Sequence, residues 1–125
     1  MAGKSKHLPD QLQQWLPLTP AVFFILFALA DGEKHGYAIM QAVATLSGET
    51  CRMGPGTLYS TIQRLSDLRL IEESAGPAAS TERESRRRYY RLTHNGKILL
   101  EAEVGRMESV VRLARRKRLV PQASE

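Results

Sequence analysis

The stretch Gly54-Pro55-Gly56-Thr57-Leu58-Tyr59-Ser60-Thr61-Ile62-Gln63-Arg64-Leu65-Ser66-Asp67-Leu68, continued at once by Arg69-Leu70-Ile71, constrains the chain more than any other segment. Leu58, Ile62 and Leu65 recur at the spacing of one helical face, so they form a single apolar stripe. At about 100° per residue, Gly56, Ser60, Gln63, Arg64 and Asp67 fall on the opposite side. Gly54 is an acceptable N-cap, and Pro55 suits the first helical position, where no intrahelical N–H is needed. The segment therefore predicts a short helix with a buried back and a front of small or hydrogen-bonding residues. Such a front fits a DNA major groove: small residues let the backbone approach, while Gln and Arg can each pair with a base edge. An ordinary amphipathic surface helix has the same pattern. Only the rest of the chain separates the two.

A hydrophobic run follows the same logic upstream. Ala21 to Ala30 is apolar throughout, but ten helical residues span only about 15 Å, half a bilayer core. It predicts a buried helix rather than a membrane span. Met1 to Trp15 is polar and lacks the apolar core of a secretion signal. The one Cys in 125 residues excludes an internal disulfide framework. These features predict a single cytoplasmic domain with its own core. The net charge is +5, unevenly spread. Between Arg83 and Arg118 twelve Lys/Arg face four Asp/Glu, a local charge of +8. A basic third of a chain is the electrostatic signature of a polyanion partner, although a solvated face of mixed charge has the same composition.

In chain order, Leu8 to Leu16 reads as a short helix with Leu8, Leu12, Trp15 and Leu16 on one face, stopped by Pro17. So short a helix needs a surface to dock on. Thr19-Pro20 opens a second helix to about Ala30, with Phe23, Ile25, Leu26, Phe27 and Leu29 covering nearly all its sides. Asp31 to Lys34 reads as a turn. His35-Gly36-Tyr37 leads into a third helix with Tyr37, Met40 and Ala44 inward, and Ile39, Val43 and Leu46 as further inward candidates, ended by Ser47-Gly48. This helix and the Gly54–Leu68 helix form a helix-turn-helix pattern. Leu70 to Glu73 and Arg88 to Leu92 carry strand signals around a Ser-, Ala- and charge-rich loop, which completes a winged helix. Arg86, Arg87 and Arg88 stand where the wing returns, placed for phosphate or an adjacent minor groove.

Thr93-His94-Asn95-Gly96 caps a last helix to about Arg118. Leu100, Val104, Met107, Val111 and Ala114 are spaced as a heptad seam. The seam and the Leu12/Trp15/Leu16 helix both call for a partner surface, which a second copy supplies. The expected fold is mainly α with a small β-hairpin, a winged helix-turn-helix between N- and C-terminal dimerisation helices. Its expected divisions are 1–17, an arm and short helix; 18–92, the winged-helix domain; and 93–125, the dimerisation helix and tail. Thr57, Ser60, Gln63 and Arg64 are the candidates for base edges, with Tyr37 and Tyr59 on the flank.

With these segments in place, the chain resembles the PadR family of bacterial transcriptional regulators. The matching pieces are Leu18-Thr19-Pro20, His35-Gly36-Tyr37-Ala38-Ile39, Gly56-Thr57-Leu58-Tyr59 with Leu65 and Leu70-Ile71, and Arg88-Tyr89-Tyr90-Arg91-Leu92-Thr93-His94-Asn95-Gly96. The resemblance covers about Leu18 to Leu100. It implies a winged-helix homodimer that binds double-stranded operator DNA, usually as a repressor and in some members under a small-molecule effector. It carries a DNA-reading role onto Tyr37, Gly56, Thr57 and Tyr59. Two departures stand out. Gly54 replaces the better capping residue that the family commonly has, and the last helix lacks the tryptophan with which some short members bind flat aromatic drugs.

Other function classes leave weaker traces. His7, His35, His94 and Cys51 have no ligand spacing, and no phosphate loop or nucleophile motif occurs, so neither an enzyme, a metal site nor a bound cofactor is expected. A winged helix used for protein contacts is the main alternative, because fold does not fix function. A sensor built on Cys51 is the other, and a lone Cys is usually a small buried hydrophobe.

Overall fold

The computed structural model describes residues 8–76 and 87–121. Among these, five helices and three short strands run in the order α1 (Asp10–Gln13), α2 (Pro20–Ala28), β1 (Lys34–His35), α3 (Gly36–Leu46), α4 (Pro55–Asp67), β2 (Ile71–Ser74), β3 (Tyr89–Leu92) and α5 (His94–Arg116). The fold is mainly helical with one small antiparallel sheet in the order β1-β3-β2, the architecture of a winged helix.

Local chemistry sets the helix starts. Thr19 caps α2 through its hydroxyl, which accepts from the Val22 N–H at 3.3 Å, and Pro20 follows at the first helical position. His35 caps α3 through Nδ1, which accepts from the Ala38 N–H at 3.3 Å. Gly54 supplies α4 with no side-chain cap, so Pro55 alone fixes that start. Three helices end alike: the N–H of Glu49, Leu70 and Leu119 donates back to Ala44, Leu65 and Ala114 O at 2.8, 3.0 and 2.9 Å. The turn demands a left-handed residue. Gly48 supplies it after α3, whereas Arg69 and Arg118 adopt φ of 61° and 63° after α4 and α5.

Buried Ile25, Leu26, Ile39, Leu58, Leu65, Leu70, Ile71 and Leu99 form the centre of the core. The α4 stripe is buried as expected, with Leu58, Ile62 and Leu65 inside. On α3 the inward residues are Gly36, Ile39 and Val43, while Tyr37 is exposed. One flank of α2 is open, because Phe27 is 38% exposed. Strand β3 is the middle strand, so Tyr89 and Tyr90 are both buried, one on each face. Lys34 and His35, expected as part of a turn and a helix entry, pair instead with Tyr90 and Tyr89.

The last helix is locked to the head at its first turn. The Thr93 N–H donates to Leu70 O at 3.1 Å. Its hydroxyl donates to Arg69 O at 2.7 Å and accepts from Gly96 N–H at 3.0 Å. A Cβ on Gly96 would collide with Leu70 O, so glycine is required by close backbone approach.

Two residues expected at the dimer surface, one from the N-terminal helix and one from the heptad seam, are spent inside the chain. Leu12 and Leu100, each 6% exposed, belong to its own core, and Trp15, Leu16 and Met107, also expected at the dimer surface, pack against that core. The short N-terminal helix thus finds its docking surface on the same copy. Among the described residues, no helix is long and apolar enough to cross a membrane.

Candidate nucleic-acid interface

Helix α4 presents its front to solvent along its whole length. Gly56, Thr57, Tyr59, Ser60, Gln63, Arg64 and Asp67 lie on it, all of them exposed, because the opposite stripe is held in the core. No side chain covers Gly56, since a Cβ there would meet nothing within 4 Å. Thr61 and Ser60 hydroxyls both donate to Thr57 O, at 2.7 and 3.1 Å.

The front divides into a crest and two flanks. Gly56 and Ser60 lie on the crest. Tyr59 and Gln63 face an open cleft of about 1170 Å³ between α4 and the β2–β3 ribbon. Arg64 lies on the other flank, beside Trp15, Pro17 and Thr19. Gln63 Nε2 donates to Asp67 Oδ1 at 2.9 Å. A carboxylate only accepts, so the contact fixes which end of the amide is nitrogen and leaves the Gln63 carbonyl oxygen for another partner.

The family-type pieces His35-Gly36-Tyr37 and Gly56-Thr57-Leu58-Tyr59 meet in space. A Cβ on Gly36 would collide with the Tyr59 hydroxyl oxygen. The Tyr59 ring therefore lies over the start of α3, beside exposed Tyr37, whose hydroxyl accepts from Gln41 Nε2 at 3.2 Å.

The wing arginines are unequal. Arg86 lies outside the described residues. Arg87 Nη1 stands 3.1 Å from His35 Nε2. A neutral imidazole has one acceptor nitrogen, so this contact and the α3 cap draw on alternative tautomers, and Arg87 is weakly held. Arg88 pairs with Glu73 at 3.5 Å, and Arg91 with Glu72 at 2.8 Å. All four of those side chains are about half exposed or more, so each pair is worth about 0–1 kcal/mol and yields readily to a competing anion. Asp67, Glu72 and Glu73 line the cleft itself. Arg69 and Arg88 line the same cleft, so its charges nearly balance. Burial raises the Tyr90 hydroxyl above the usual phenol range, with Glu73 adding to it.

Sequence reasoning missed Glu103. It is 1% exposed, accepts from Leu18 N–H at 3.0 Å, and takes two bonds from Arg106, at 2.7 and 3.1 Å. Arg106 holds its carboxyl below the usual glutamate range, against the opposing effect of burial. An acid three residues before an arginine on a basic helix gives no signal of burial. Among the described residues, no group of three or more His, Cys, Asp or Glu is placed to hold a metal ion. Cys51 is half-buried, its N–H bonded to Ser47 Oγ at 2.9 Å.

A family model described as the transcriptional regulator PadR-like family matches residues 25–102. A 37.1 kDa protein encoded in a Streptomyces fradiae transposon is 40% identical over 87 residues, 70% of this chain but 23% of that protein. The chain thus spans less than a quarter of that relative's length. A PadR family transcription regulator of Clostridium difficile superposes with a TM-score of 0.64 at 22% identity, covering 78% of this chain and 97% of the other. Bacillus subtilis PadR, solved in complex with operator DNA, gives 0.58 at 24% identity, over 70% of this chain and 47% of that one. At these identities the two structures establish a shared fold.

Proposed function

The chain belongs to the PadR-like family of transcriptional regulators, and from that premise we propose that it is a homodimeric repressor that reads a pseudo-palindromic operator with α4. Its role is regulatory rather than enzymatic. The exposed front of α4 carries the reading: a helix backed by core residues, with Gly56 and Ser60 on the crest and hydrogen-bonding side chains on both flanks. Thr57, Ser60 and Gln63 reach base edges. Arg64, turned toward the α1–α2 junction, reaches a base edge or the phosphates of the adjoining groove wall. Tyr37, Tyr59, Arg87 and Arg88, with Arg86, contact the sugar-phosphate backbone. That Bacillus subtilis PadR was solved in complex with operator DNA supports duplex DNA as the partner.

The second half of α5 supports the dimer. Val104, Val110, Val111 and Leu113 are exposed, and Met107 and Ala114 are half-buried. Leu12 and Leu100 are not part of that surface. Charge favours antiparallel pairing of two α5 helices. A parallel pair would stack Arg112, Arg115, Arg116, Lys117 and Arg118 on their own copies. An antiparallel pair sets Val104 against Ala114, Met107 against Val111, and Lys117 against Glu101. The divisions 1–17, 18–92 and 93–125 then serve as arm, reading head and dimer helix, in a cytoplasmic protein. Selection of bound sequences from random duplexes tests the proposal. It expects two inverted half-sites about one helical turn, 34–36 Å, or a multiple of it apart. Recovery of no sequence preference would contradict it.

A further inference from the structure

Helix α5 is built in two parts. Over its first ten residues Gly96, Ile98, Leu99, Leu100 and Glu103 are buried; from Val104 to the end of the described residues none is. Glu103 is therefore the last buried anchor of the helix, with half-buried Met107 one turn further on packed against the edge of the same core. It is also the one buried charged side chain among the described residues, and a carboxylate removed from water at that point needs a reason. Leucine or methionine would fill the space, and an apolar side chain is often the more stabilising choice at such a site.

Directional bonding distinguishes the carboxylate from an apolar residue. One Glu103 oxygen takes the Leu18 N–H at 3.0 Å and an Arg106 N–H at 3.1 Å. The other takes the Arg106 Nε–H at 2.7 Å. Buried apolar contacts tolerate sliding, whereas the directional Leu18 N–H bond ties Glu103 to the head, and the two Arg106 bonds within α5 hold the carboxylate in place to accept it. Leu18 joins α1 to α2 and, with Leu99, lines a small cavity of about 50 Å³ against Arg64, Leu65 and Leu68 of α4. The bond thus connects the dimer helix to the backbone that packs behind α4.

We infer that Glu103, clasped by Arg106 and the Leu18 N–H, is a positioning residue that sets the angle at which α5 leaves the head, and so the spacing of the two reading helices in the dimer. The inference rests on the homodimeric reading proposed above. The lever is long enough to matter. Thirteen residues beyond Glu103, to the end of α5 at Arg116, extend about 20 Å at 1.5 Å per residue. A tilt of about 10° moves the far end by roughly 3.4 Å, one base-pair step.

The test uses the full chain carrying Glu103→Gln, and separately Arg106→Met. Glu103→Gln is not used alone, because loss of charge at a buried site can act through stability; Arg106 is substantially exposed and its replacement spares the core. Mass by light scattering is measured first. Binding is then titrated on duplexes carrying the selected half-sites at their preferred spacing, at one base pair more and one fewer, and on a single half-site. Wild type should lose about tenfold or more when the spacing changes by one base pair, since each added pair also rotates the half-site by roughly 34°. Both variants should remain dimers, bind the single half-site as wild type does, and lose less than about threefold on the same change. Variants that keep the full wild-type penalty would overturn the inference alone, as would variants that fall to monomers, because the clasp would then hold the interface rather than set its angle. A wild type indifferent to spacing would overturn the dimeric reading, and the inference with it.

Discussion

At the scale of single residues, two contacts define the exposed face and its support. Tyr59 lies over Gly36, so a ring from α4 covers the start of α3 beside their shared core. In Gly36→Ala the new methyl must displace that ring, and the half-exposed tyrosine can swing outward. The melting temperature should fall only slightly, while operator affinity drops as far as in Tyr59→Ala; equal binding by wild type and Gly36→Ala would show that Tyr59 has no part in the contact. Glu103 gives a pH signature. Its folded pKa lies below that of the unfolded chain, so its contribution to stability is full above the ordinary carboxyl range, about pH 4.3. It is lost as pH falls through the lower folded value. Thermal melts of wild type and Glu103→Gln should therefore differ most near neutrality and converge as the pH falls below the ordinary carboxyl range. A gap that stays constant over that range would contradict the assignment. Neither the Tyr59–Gly36 contact nor the Glu103–Leu18 bond is visible in sequence, because each joins residues at least 23 positions apart that carry no periodic signal.

Among the elements, the locally encoded ones are legible in the sequence. The apolar stripe of α4, the proline starts of α2 and α4, the Gly48 stop and the two wing strands all follow from neighbouring residues. Elements that depend on distant partners are not. The pairing of Lys34 and His35 with β3 has no strand propensity behind it, since neither residue belongs to the β-branched or large aromatic types that favour strands. The open flank of α2 at Phe27 and the self-docking of α1 depend on how much core the rest of the chain supplies. The Thr93-His94-Asn95-Gly96 segment, one of the family-type motifs, is a joint: Thr93 caps α5 and grips Arg69 O, and Gly96 lets the helix touch Leu70 O. Gly96→Ala forces a methyl onto a carbonyl oxygen with no flexible side chain to yield. Stability should fall by about 2–4 kcal/mol in denaturant titration, on the order of a severe core lesion; a change below about 0.5 kcal/mol would show that α5 is not seated there.

For the whole molecule, the winged-helix head and the first half of α5 share one core, and the proposed dimer uses the exposed stripe on the second half of α5. Carboxylates at Val104→Asp and Met107→Asp would lose hydration on association, so the double variant should run as a monomer in light scattering at micromolar concentration and lose operator binding while keeping its helical content. Unchanged mass would place the interface elsewhere. The division of labour between helix and wing is tested most directly by salt titration of wild type, Arg87→Ala and Gln63→Ala on an operator duplex and a random duplex. A wing arginine on phosphate contributes equally to both duplexes and releases counterions, so Arg87→Ala should weaken the two by similar factors and lower the slope of log affinity against log salt by about 1 for each phosphate in each subunit. Gln63→Ala should leave that slope intact and weaken the operator alone, by roughly 1–3 kcal/mol for each base edge left unread. Equal losses on both duplexes for Gln63→Ala, or an unchanged slope for Arg87→Ala, would contradict a helix that reads bases beside a wing that grips the backbone.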